Sequence, residues 1–146
     1  MEPKKMIGAW LGGFVAMFLF GYIWHEMIIS GYNAMQYADV MRPKEDFSIV
    51  HIVIGYLILA FMMSYIYPLG YKGGPFLKEG LRFGVILGLL YTLPRAFILA
   101  GVYKMPLDAN ILDAVFHIIE MAVGGIVMAK IYGGGSASSE GTETSE

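Results

Sequence analysis

The sequence predicts an all-α integral membrane protein, a bundle of four transmembrane helices, and three observations carry that prediction. Hydrophobic residues make up 57% of the 146-residue chain and charged residues only 15%, with a mean hydropathy of +0.60. Apolar runs of roughly twenty residues recur along the chain, each long enough at a helical rise of 1.5 Å to cross a hydrocarbon core. Glycine (19) and tyrosine (10) are abundant, as in polytopic proteins, where glycine is tolerated inside spans and aromatics gather at the interfaces. A soluble bundle would need helices with a polar face, and none of the runs shows one.

The first helix is expected over about 6–29, "MIGAWLGGFVAMFLFGYIWHEMII". It is too long and too continuous for a cleaved signal peptide. The other three are expected over about 47–67, 81–102 and 109–132. The 30–46 connection carries "RPKED" and is expected to be solvated, with a short surface helix. "PLGYKGGPFLKEG" at 68–80 has the glycine and proline content of a compact turn. Residues 133–146, "GGGSASSEGTETSE", are expected to be a disordered acidic Gly/Ser tail.

An even number of spans puts both ends on one side. That side carries six basic residues (Lys4, Lys5, Lys72, Lys78, Arg82, Lys130) against three on the other (Arg42, Lys44, Lys104). The positive-inside rule then places both termini in the cytoplasm. The absence of cysteine removes thiolate ligands, disulfides and cysteine nucleophiles together. A net charge of −2 offers no footprint for nucleic acid.

The halves resemble each other. "VHIVIGYLIL" in the second span is similar to "FHIIEMAVGG" in the fourth, with His51 and His117 matching and Tyr67 and Tyr132 following in step. This pattern points to two duplicated helical hairpins in parallel orientation.

Small residues recur at steps of four: Gly8 and Gly12 in the first span, Gly80, Gly84 and Gly88 in the third, and Gly125 with Ala129 and neighbouring Gly124 in the fourth. Such stripes let transmembrane backbones approach closely, as in a glycine zipper. Continuing the third-span stripe through Tyr91 brings Arg95 onto the packed face, just after Pro94, where a helix kink is expected. A charge at that depth costs several kcal/mol, on the order of 3, unless it is answered. Glu26 or Glu120 is the expected partner.

The remaining polar residues fall in one half of the membrane, the outer half in this topology. His25 and Glu26 close the first helix and His51 opens the second. Asp113, His117, Glu120 and Gly124 advance by 4, 3 and 4 along one face of the last. A buried polar cluster of His25, Glu26, His51, Arg95, Asp113, His117 and Glu120 is therefore expected. Intramembrane ionisable groups mark sites or structural pairs.

The stretch "YPLGYKGGPFLKEGLRFGVILGLLYTLPRAF" resembles a group of small four-span bacterial membrane proteins of uncharacterised function. The resemblance is carried by Gly80, Leu81, Arg82, Phe83 and Gly84 at the start of the third span and by Pro94 within it. It implies four helices in a bacterial inner membrane and no particular activity.

The leading functional expectation is a non-enzymatic structural or accessory membrane protein, with no cofactor, in contact with lipid and assembled as a homo-oligomer or within a larger complex. One alternative is a small-solute or proton transport protein using the cluster. Another is a metal or haem site with ligands from His25, His51, His117 and Glu120, donors suited to zinc, copper or iron.

Overall fold

The computed structural model describes residues 2–133, so the expected tail lies outside the described residues except for Gly133. Helix α1 (Pro3–Tyr22) opens with proline at its first turn, where the missing N–H is not needed, and continues without a break into a π-helical turn, Ile23–Ile28. A short α2 (Ser30–Gln36) and a 3₁₀ turn (Lys44–Asp46) fill the connection, where a short surface helix was expected. Helices α3 (Ile49–Gly70), α4 (Phe76–Val102) and α5 (Leu107–Gly133) follow. The α1–π unit and these three helices are long and apolar enough to cross a membrane. The chain is an all-α, polytopic integral membrane protein whose apolar outer faces meet lipid.

Helix α5 is the centre of the molecule. It packs on α1 along one side and on α4 along another, and α3 lies chiefly against α1. The α4–α5 contact is the closest. A Cβ added at Gly80 would lie 2.5 Å from the Cα of Ile126, one at Gly84 2.5 Å from the Cα of Ala122, and one at Gly88 2.7 Å from the Cα of Ile118. Gly125 meets α4 backbone in the same way, and Gly124 receives Met17 of α1. The glycines let backbones touch, which in lipid replaces the hydrophobic drive that water would supply. On α1, Gly8 and Gly12 face Ile131. These glycines lie at close contacts between helices of the same chain.

Helix α4 runs unbroken through Pro94. Its buried stripe continues from Gly88 to Thr92 and Ala96, keeping the step of four, and leaves Tyr91 and Arg95 exposed. The Thr92 hydroxyl bonds the carbonyl of Gly88 at 2.8 Å and that of Ala114 on α5 at 3.2 Å. At the end of the bundle shared by the N-terminus of α1 and the C-terminus of α5, the rings of Tyr67 and Tyr132 stack at 5.3 Å and the Tyr132 hydroxyl donates to the Ser64 carbonyl. Buried Glu79 accepts from Arg82 at 2.6 Å and from the Lys72 amide at 3.2 Å, closing the α3–α4 turn.

Candidate functional site

Three elements converge at the opposite end of the bundle: the π-helical turn, α2 and the first turns of α5. In the π turn the Ile29 amide reaches back five residues to the Trp24 carbonyl at 3.0 Å. The widened turn frames His25, and π turns inside α-helices recur at functional sites. Phe116 of α5, 3% exposed, is the platform. Trp24 stacks on it at 4.6 Å and Phe20 at 5.5 Å, while the His25 ring stands edge-on to it at 5.4 Å. With Trp24 held flat on Phe116, the next residue in the chain is aimed at α5.

There His25 meets His117, their rings 5.6 Å apart. His25 Nε2 lies 4.0 Å from Asp113 Oδ1, and His117 Nε2 lies 3.6 Å from Asp113 Oδ2. One donor atom from each of the three residues falls within 4.8 Å of the others. These separations exceed a hydrogen bond, so the three groups face one another across a gap.

The far side of each imidazole is engaged. His117 Nδ1 is 2.7 Å from Glu120 Oε2, and the Tyr56 hydroxyl of α3 donates to Glu120 Oε1 at 2.7 Å. Glu120 is 1% exposed, and each of its oxygens has a hydrogen-bond partner, as a buried polar group requires. In the neutral tautomer with its proton on Nδ1 toward Glu120, His117 presents the Nε2 lone pair on the side of Asp113. His25 Nδ1 lies 3.3 Å from the side-chain amide of buried Asn33 on α2. The Asn33 amide serves either His25 tautomer according to which of its ends is turned to the ring. The two imidazole Nε2 atoms thus face the two oxygens of the Asp113 carboxyl group, one each.

The expected cluster is only partly brought together. His25, Asp113, His117 and Glu120 assemble, but Glu26 pairs with Lys44 of the 3₁₀ turn at 2.9 Å. His51 stands apart, exposed in the first turn of α3 and bonded to Ser48. His51 and His117 also fall at different depths in their helices, so the sequence match between them does not carry over to their surroundings. Neither expected carboxylate answers Arg95: among the described residues it makes no ion pair within 4.0 Å. It lies one residue, 100° of helical turn, from the buried stripe, and it shares a small recess with Thr92, Asn110 and Asp113. Tyr56, Asn33 and Phe116 complete the site without having been singled out from the sequence.

No described protein family, curated protein or solved structure matches this chain.

Proposed function

We infer that this integral membrane protein binds one divalent transition-metal ion, zinc before others, at His25, Asp113 and His117. The carrying observation is the facing set itself. Two imidazole nitrogens and a carboxylate converge at 3.6 and 4.0 Å, too far to bond one another. Tetrahedral zinc with bonds of about 2.0–2.1 Å holds its donors roughly 3.4 Å apart. The two approaches run to different oxygens of Asp113, and with one donor atom from each residue the three lie within 4.8 Å of one another, so binding would draw them together by up to roughly 1.4 Å.

Outer groups support the same reading. A metal-binding histidine usually donates its other N–H to a carboxylate or amide, as His117 does to Glu120, and Tyr56 fixes that carboxylate in turn. Three protein donors leave a coordination position open, the pattern of exchangeable and reactive sites rather than closed structural ones. Haem fits less well, because Asp113 stands between the two histidines where a macrocycle would have to pass. The resemblance noted above supports a bacterial inner membrane, and the distribution of basic residues supports cytoplasmic termini, which puts the site near the outer face.

The test is a metal assay on purified, zinc-loaded and desalted protein. Wild type should retain about one zinc per chain, Asp113→Asn and His117→Ala should lose it, and His51→Ala should keep it. Zinc absent from wild type, or lost equally on replacing His51, contradicts the assignment.

A further inference from the structure

Beside the metal cluster, and sharing His25, Asn33 and Tyr56 with the site around it, lies a largely apolar cavity of about 400 Å³ between the end of α1, the start of α3 and the 30–48 connection. Its walls include Phe18, Tyr22, Phe47 and Ile52, and the exposed faces of Tyr22, Ile49 and Ile52 rim it on the side that meets lipid. Against it, sharing Phe47 and Ile52 as a common wall, is a second and more open cavity of about 360 Å³ lined by Arg42, Ser48 and His51. The two differ in chemistry. The first has one cation, Lys44, already paired with Glu26. In the second, Arg42 makes no ion pair within 4.0 Å among the described residues, and the Ser48 hydroxyl and His51 ring add hydrogen-bonding groups.

We propose that this pair of cavities binds a membrane amphiphile with one hydrocarbon chain and an anionic head, a carboxylate or a phosphate. The chain fills the apolar cavity, and the head rests on Arg42, Ser48 and His51 at the level of the interface. Size and lining match those of pockets for small molecules, where a few polar groups orient a largely apolar ligand. An arginine is suited to either anion, because its planar fork offers paired donors to carboxylate and phosphate oxygens. The positions fit as well: the cationic cavity belongs to the connection outside the spans, where a head belongs, and the apolar one runs alongside the first turns of α3. His51 and Arg42 acquire a role here that the metal cluster does not give them.

The experiment uses the full chain in a micelle of neutral-headed detergent, with cis-parinaric acid as the fluorescent probe. Saturable binding is expected, with displacement by palmitate or monohexadecyl phosphate and at least tenfold weaker displacement by hexadecanol. The ratio of the first two tells carboxylate from phosphate. Arg42→Gln, at an exposed position, should weaken palmitate about tenfold and leave hexadecanol unchanged. Ile52→Trp, which fills the shared wall, should remove binding of both. Equal displacement by the alcohol, or binding indifferent to both substitutions, overturns the proposal. Asp113→Asn should abolish zinc and preserve parinarate binding, so failure of the metal assignment and failure of this one are separately visible.

Discussion

Glu120 is the residue on which the site turns. It is buried at 1% exposure and takes hydrogen bonds from Tyr56 and His117. Glu120→Gln keeps the volume but weakens its hold on the His117 proton, so zinc affinity should fall about 10- to 100-fold in a competition assay with a chelator. Tyr56→Phe leaves one carboxylate oxygen without its donor and should cost about 1–3 kcal/mol of stability, read as a drop in melting temperature. Gly21 makes room for this pair, since a Cβ there would strike the Tyr56 hydroxyl and lie 2.6 Å from Glu120 Oε1. Tyr37, outside the spans, donates to Asn110 at 3.2 Å, and burial, followed by the charge of Asp113, pushes its phenol up to about 12. The folded state therefore favours the neutral phenol. The stability this contributes is complete below pH 10 and is lost as pH rises from 10 through 12. A difference titration at 295 nm between wild type and Tyr37→Phe should show no ionisation of Tyr37 at pH 10, and an ordinary tyrosine titration would refute it.

At the scale of elements, the α4–α5 pair depends on absent side chains. Gly84→Ala places a methyl against the backbone at Met121 and Ala122. Overpacking of this kind costs about 1–3 kcal/mol, whereas Gly101→Ala, with open space around it, should be nearly neutral. Thermal unfolding in detergent separates the two. The step-of-four glycines were legible because helical phase is fixed by the backbone, and Asp113, His117 and Glu120 were legible for the same reason. Phase misled where two steps compete. From Gly88, a step of three reaches Tyr91 and then Arg95, whereas a step of four reaches Thr92 and Ala96, and close backbone packing selects the small residues. His51 was misplaced because its depth alone was read, and depth does not say which neighbour a first-turn side chain faces. Tyr56 and Asn33 carry no spacing that marks them. Their roles arise from contacts between elements distant in sequence, which periodicity along one helix does not encode.

For the whole molecule, a bundle of four long helices centred on α5 brings the site to one end and leaves the start of α1 and the end of α5 at the other. With no native cysteine, single introduced cysteines report the orientation cleanly. An impermeant maleimide should label Asp39→Cys in intact cells and Lys72→Cys only after permeabilisation, and the reverse pattern would invert the topology. The gap between His25, Asp113 and His117 remains the central feature. X-ray absorption at the zinc edge of the loaded protein probes it most directly. The account predicts four-coordinate zinc with two imidazoles and the remaining positions filled by oxygen, the imidazole signal falling in His117→Ala. Zinc without imidazole scattering, or a spectrum unchanged by that substitution, would contradict it.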